Sequence, residues 1–274
     1  MKTKRVTFKE IEVNYSDHGG EAPCIVLLHG YLETGAIWEP FTPFLTEHFR
    51  LICLDLPGHG NSGIWGKTHS MEDLAGSVRA VLNEEKLERV FLVGHSMGGY
   101  VTMAFAELYP QHLRGYVLFH STCFADTDEK RSNRDREISL VLCGKKQQII
   151  KVNIPKAFAD DNVPRLKEQV SRAEHIAKQN PDQGVVAMLN GMKSRPDRTH
   201  ILADPSLPLL LIGGKKDNYI SLEVFEKLTG LAPHASSVRL EESGHMGFVE
   251  EPESSAVAIR AFVEEVLHKD QPEP

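Results

Sequence analysis

The segment Gly94-His95-Ser96-Met97-Gly98 stands between an apolar run at 90–93 and a helically patterned stretch at 100–109 that Pro110 stops. A strand that feeds a helix across so short a link must reverse within one sharp turn. A serine at the apex of that turn lifts its hydroxyl above the sheet, and flanking glycines let the strand and helix backbones pass close together. The helix N-terminus behind Ser96 favours negative charge developing there. The pattern demands a buried strand with a helix packed over it, and hence a layered architecture of both.

The rest of the chain repeats that unit. Apolar runs at 24–28, 51–54, 116–119 and 209–212, and a weaker one at 238–240, read as strands buried on both faces. Helical patterns separate them. Ser70 and Asp73 resemble a capping box ahead of the apolar face Leu74, Val78, Val81 and Leu82. Ser221 precedes a helix carrying Leu222, Phe225 and Leu228, and Ile259, Phe262, Val263 and Val266 mark a last helix entered near Pro252. Alternation at 4–16 (Val6, Phe8, Ile11, Val13, Tyr15) predicts an N-terminal hairpin, broken at 17–20. The expected fold is α/β: a mostly parallel eight-stranded sheet flanked by helices.

Residues 122–205 break the rhythm. They hold no convincing strand and are too long for a plain connection. Helices are expected at 164–179 and 183–193, and the charge-dense stretch 126–137 reads as a solvated face. The domain division is a core of 1–121 and 206–274, with 122–205 as a helical lid. Phe124, Phe158, Val186, Met188 and Met192 are candidates for the lid's inner face.

Composition narrows the function classes. With 274 residues, 41% hydrophobic and 25% charged, the chain has apolar material for a sizeable core. A net charge of −7 argues against a nucleic-acid footprint, which needs a basic face. Cysteines at 24, 53, 123 and 143 form no C-x-x-C pair, so no zinc knuckle or dithiol motif is expected, and Cys24 and Cys53 read as buried thiols. The N-terminus shows no secretory pattern and no run spans a bilayer, so a cytoplasmic location is expected.

A serine hydroxyl needs a base before it attacks anything. Among 13 histidines, His245 is the candidate, because it follows the last strand-like run and precedes the last helix. Sites in open α/β sheets gather at the carboxyl ends of strands. His234 lies before that strand, at the wrong end, and His268 lies in the terminal helix. Asp217, which follows the run 209–212 and a glycine turn, is the expected acid, with Asp126 beyond the run 116–119 as the alternative. Backbone amides of Met97, next to the serine, and Tyr31, in the loop after 24–28, are the candidate donors for a developing oxyanion. Gly30 is expected to permit the turn that places Tyr31. His29 and His95 are expected to brace their loops by hydrogen bonding.

Together the motifs at 28–30, 55–62, 94–99, 214–217 and 244–245 make the chain resemble the α/β-hydrolase superfamily. The resemblance runs from the hairpin to the last helix and omits only the inserted segment. It implies an ester-cleaving serine hydrolase acting through an acyl-enzyme on a small or medium-sized acyl substrate, with no metal or organic cofactor. Relatives with an aspartate nucleophile resemble it less, since position 96 is serine. Rival activities on the same triad are C–C bond, thioester or lactone hydrolysis and perhydrolysis. A rival of another class is a ligand receptor or interaction protein with a slow triad. Tyr31, His95, Phe124, Met188 and Met246 are the expected substrate contacts, and a monomer or homodimer is expected.

Overall fold

The computed structural model describes residues 1–20 and 23–269. Positions 270–274, the tail of the expected core segment, lie outside the described residues. In chain order come β1 (Lys2–Phe8), β2 (Ile11–Asp17), β3 (Cys24–Leu28), β4 (Arg50–Leu54), α1 (Met71–Glu84), β5 (Val90–His95), α2 (Met97–Leu108) and β6 (Leu113–Phe119). Then follow α3 (Asp128–Leu142), α4 (Lys146–Lys156), α5 (Lys167–Gln179), α6 (Asp182–Ser194), α7 (Thr199–Leu202) and β7 (Leu209–Gly214). Last come α8 (Leu222–Leu231), β8 (Ser236–Leu240), α9 (Gly247–Glu250) and α10 (Pro252–Lys269).

The strands form one eight-stranded sheet in the order β1-β2-β4-β3-β5-β6-β7-β8. Pairing is antiparallel at β1–β2 and β2–β4, and parallel elsewhere. The N-terminal alternation is the hairpin, with Val6 opposite Val13 and Phe8 opposite Ile11. β3 and β5 are buried at every position, as continuous apolar runs between two layers must be. The strand order reverses at β3, which lies between β4 and β5. In open α/β sheets, sites gather where loops leave the carboxyl ends of strands at such a reversal, here β3 and β5. Tyr31 and Ser96 belong to those two loops.

Helix α1 follows its pattern. The Ser70 hydroxyl accepts from the Asp73 amide, and Met71, Leu74, Val78, Val81 and Leu82 are buried. Each such side chain contributes about 1.5–3 kcal/mol by leaving water. Helix α2 begins at Met97, three residues before the expected start, because Ser96 itself is its N-cap residue. It is buried on all sides from Met97 to Ala106, so it lacks the polar face that marks a helix start in sequence.

Between β6 and β7 the inserted chain is helical, as expected, but holds more helices than its pattern gave. α3 occupies the charge-dense stretch, and α4 contains Pro155. α5 starts beyond Pro164, at Lys167. The solvated-face reading of 126–137 holds for most of α3 but fails at Asp126. Asp126 is buried and pairs with Arg134 and with Arg195, the latter at 2.7 Å. This segment is tied to the sheet layer through backbone groups. The His69 amide donates to Ala187 O at 3.0 Å and the His245 amide to Ala157 O at 2.7 Å. Asn180 accepts from the Gly60 amide at 2.9 Å and donates to Leu32 O at 3.0 Å. Cys24, Cys53 and Cys123 are buried free thiols, and Cys143 is exposed. Among the described residues no helix is long and apolar enough to cross a membrane.

Candidate functional site

Ser96 sits at φ 49° and ψ −114°, between the end of β5 and the start of α2. A side chain at positive φ costs on the order of 1–3 kcal/mol and persists only where its surroundings hold it. Here the Ser96 amide donates to Phe119 O at 2.9 Å, and its carbonyl accepts from the Gly99 amide at 2.9 Å and from Ser121 Oγ at 2.6 Å. The flanking glycines are needed for room. A Cβ on Gly94 would lie 2.4 Å from Gly98 O, and one on Gly98 would lie 2.4 Å from Leu28 O. Ser96 is half-buried.

The two candidate amides follow the same geometry. Met97 opens α2, where the first turn's N–H groups have no helical acceptor. Among the described residues, neither the Met97 nor the Tyr31 amide donates to another protein group. A residue with a Cβ is resisted at Gly30, as expected, but through lack of room and not through backbone conformation. The positive φ in that loop is at Leu32 (64°), and Gly30 is required because a Cβ there would lie 2.8 Å from His95 Nδ1.

Asp217 leaves the end of β7 with its carboxylate fully buried. Oδ1 accepts from the amides of Tyr219 (2.7 Å) and Ile220 (2.9 Å). Oδ2 takes His245 Nδ1 at 2.8 Å and His120 Nδ1 at 3.1 Å. Burial alone would raise the Asp217 carboxyl, but the charge of His245 and hydrogen bonds from His120 and His245 hold it far below the usual range. It is a carboxylate at any working pH. His245 therefore keeps its Nδ1 proton toward Asp217 and leaves Nε2 to accept another. Among the described residues neither Ser96 Oγ nor His245 Nε2 forms a hydrogen bond. Such contacts commonly tighten only around substrate.

His95 is buried and fully engaged. Nδ1 meets Glu33 Oε2 at 3.0 Å, Nε2 donates to the His245 carbonyl at 2.9 Å, and the same Glu33 oxygen accepts the Gly30 amide at 2.6 Å. Burial works against charge on both side chains. Mutual attraction nonetheless raises His95 and lowers Glu33 from their ordinary values, so they sit as an imidazolium–carboxylate pair. This pair joins the loops that carry Tyr31, Ser96 and His245. His29 braces the same loop in neutral form, donating from Nδ1 to Gly30 O (2.8 Å) and accepting the Leu56 amide at Nε2 (2.9 Å).

The pairing has a pH signature. Glu33, held below its ordinary 4.5, adds stability present above that value and lost as pH falls. His95, held above its ordinary 6.5, adds stability present below that value and lost as pH rises through its folded one. Replacing Glu33 by glutamine is therefore expected to lower the urea midpoint most near pH ~6 and least near pH ~9. A deficit that stays flat between those conditions contradicts the charged pairing.

The remaining expected residues fall less tightly together. Asp126 bonds to Arg134 and Arg195, whereas the carboxylate that meets His245 is that of Asp217. His95 offers no free nitrogen to a substrate. Met188 is fully buried within α6, and the Phe124 ring lies 4.7 Å below the Lys227 ammonium. Met246 is buried next to His245, its amide held by Glu250 Oε2 at 3.1 Å. The Tyr31 hydroxyl is buried and, among the described residues, meets no hydrogen-bond partner; burial pushes it well above its ordinary value, so it is a neutral group.

Sequence reasoning missed Glu33, His120 and Tyr219. The Tyr219 ring lies 5.1 Å from that of His245, and its hydroxyl donates to Asn153 O at 3.0 Å, joining α4 to the loop of Asp217. His120 was findable: it directly follows the strand run 116–119, on the rim where the other groups gather. His120, Asp217 and His245 present ligand-type atoms within 4.8 Å of one another. Two of those atoms are Nδ1–H donors on one carboxylate oxygen, which marks a proton-holding cluster and not a vacant metal cage.

The pieces can perform nucleophilic displacement at an acyl carbon: a strained serine, an imidazole oriented by a buried carboxylate, and two open amides. The profile of the alpha/beta hydrolase fold family matches residues 23–133. A pimeloyl-[acyl-carrier protein] methyl ester esterase of Yersinia enterocolitica is 31% identical over 255 residues, covering 90% of this chain and 95% of that protein. A thermophilic esterase from Thermogutta terrifontis superposes with a TM-score of 0.92 at 28% identity, covering 97% of this chain and 99% of that one. An enol-lactonase from Burkholderia xenovorans has the same fold, with a TM-score of 0.88 at 20% identity over 95% of this chain and 100% of that one.

Proposed function

The chain belongs to the alpha/beta hydrolase fold family, and on that premise we propose that it hydrolyses carboxylic esters of small or medium-sized acyl compounds through an acyl-enzyme on Ser96. His245 Nε2 takes the Ser96 proton as Oγ attacks the ester carbonyl, and Asp217 stabilises the imidazolium that forms. The amides of Met97 and Tyr31 receive the oxyanion. The tetrahedral intermediate collapses, and His245 returns the proton to the departing alcohol. Water, deprotonated by His245, then attacks the acyl carbon and releases the acid. The 122–205 segment forms the lid over this site, and Tyr31 and Met246 face the acyl group.

One observation carries the reading: His245 Nδ1 is held 2.8 Å from a buried, four-times-bonded carboxylate, on the same rim as a serine strained to positive φ. That arrangement spends stability where only a nucleophile needs it. Esterase activity of the Yersinia and Thermogutta relatives supports the ester class. The test is a panel of nitrophenyl esters of increasing acyl length beside thioester, lactone and methyl-ester arms. The expected result is turnover highest on short and medium esters. Turnover confined to another arm moves the reading to that chemistry, and no turnover on any arm overturns it.

A further inference from the structure

Strand β6 ends in a histidine with unusual geometry. His120 is non-glycine at φ 50°, wholly buried, and stacked on Phe119 at 5.1 Å. Its Nδ1 meets Asp217 Oδ2, the same oxygen that holds His245, and its Nε2 accepts the Gly247 amide at 3.2 Å. The second contact settles the tautomer: a nitrogen that accepts an N–H carries no proton, so the proton is on Nδ1 and is donated to Asp217. We propose that His120 is a fourth member of the relay, a positioning residue that shares the Asp217 oxygen with His245 and thereby limits how tightly the carboxylate holds the His245 proton. This rests on the serine-esterase reading above and deepens it.

The physics is that of a divided charge. A carboxylate oxygen with two donors offers less negative potential to each than one with a single donor. The imidazolium formed in each half-reaction must be stable enough to form and must still give its proton back. His120 acts as a fixed neutral donor because burial, opposed by the attraction of Asp217, lowers it to about 4. The titratable and charged groups facing it are Asp217 after β7, His245 after β8 and His95 at the end of β5. His245 additionally faces Tyr219, and Glu250 of α9 holds the amides of Gly244 and Met246 on either side of it.

Two variants separate the roles. His120→Asn keeps an N–H donor at the Nδ1 position and loses the acceptor for Gly247. Asparagine also tolerates positive φ. His120→Gln keeps an acceptor near the Nε2 position and loses the donor to Asp217. The readout is the pH profile of kcat/KM on the best nitrophenyl ester, with thermal melts to establish folding. For His120→Gln the acid limb is expected to move up by about half a pH unit or more, with the alkaline plateau within about tenfold of the parent. For His120→Asn the limb is expected to stay with the parent. Equal profiles in both variants, or a larger shift in His120→Asn, would overturn the proposal and leave His120 as a brace for Gly247. On the unaltered protein, ¹⁵N-histidine NMR should show His120 protonated on Nδ1 only at neutral pH. A doubly protonated ring there overturns the proposal even where a variant fails to fold. Ser96→Ala run in parallel separates the levels: if it stays active the esterase reading falls, and if it is inactive while the histidine variants match the parent, only this inference falls.

Discussion

Replacing Ser96 by alanine is expected to lower kcat/KM on the preferred ester by about 10⁴-fold or more while leaving the fold intact. The change removes one oxygen. The turn's supports are backbone bonds, to Phe119 O, from the Gly99 amide and from Ser121 Oγ, and alanine keeps all three. It is also no worse than serine at φ 49°, since both carry a single Cβ substituent or less. Circular dichroism and the thermal midpoint should therefore match the parent, and residual turnover should come from binding and the two amides alone. A variant retaining a tenth or more of the parent rate would remove Ser96 from the chemistry.

The second large effect is at the acid. Asp217→Asn is expected to lower kcat by about 10³–10⁴-fold. The reason lies in which oxygen each neighbour uses. The amides of Tyr219 and Ile220 need an acceptor, so the asparagine oxygen turns to them as Oδ1 does now. The NH₂ group then faces two Nδ1–H donors, His245 and His120, and a donor cannot face a donor. His245 must switch tautomer, which places its proton on Nε2 and removes the base. Asp126→Asn should behave in the opposite way. It leaves Arg134 and Arg195 sharing a neutral partner in a buried cluster, and a broken buried pair costs about 3–5 kcal/mol. Its expected signature is a lower thermal midpoint with kcat within about tenfold of the parent at a temperature where it is folded. A larger kcat loss in Asp126→Asn than in Asp217→Asn would show that the acid follows β6 and not β7.

Much of this was legible in the residues, for reasons that can be named. The central strands β3 to β7 are largely continuous apolar runs, as strands covered on both faces must be. Ser96, Asp217 and His245 each stand just past such a run, so locating the strands located the rim. Two of the residues that escaped did so because the partner lies far away in sequence. Glu33 is an ordinary loop acid until His95, 62 residues on, supplies its countercharge. Asp126 looked like part of a solvated stretch because Arg195, 69 residues away, is invisible to local patterning. α2 hid its first turn because burial on every side removes amphipathic contrast. His120 sits at a strand end, but a second imidazole on the acid has no place in the familiar pattern.

The account's central claim is that an acyl group is carried on Ser96. The direct measurement is intact-mass and peptide mapping after reaction with a fluorophosphonate, and with a slowly deacylated ester quenched in acid. The expected result is one adduct per chain, on the peptide containing Ser96, lost in Ser96→Ala and formed far more slowly in Asp217→Asn. Ester turnover with an unlabelled Ser96, or an adduct on another residue that tracks activity, would contradict the claim.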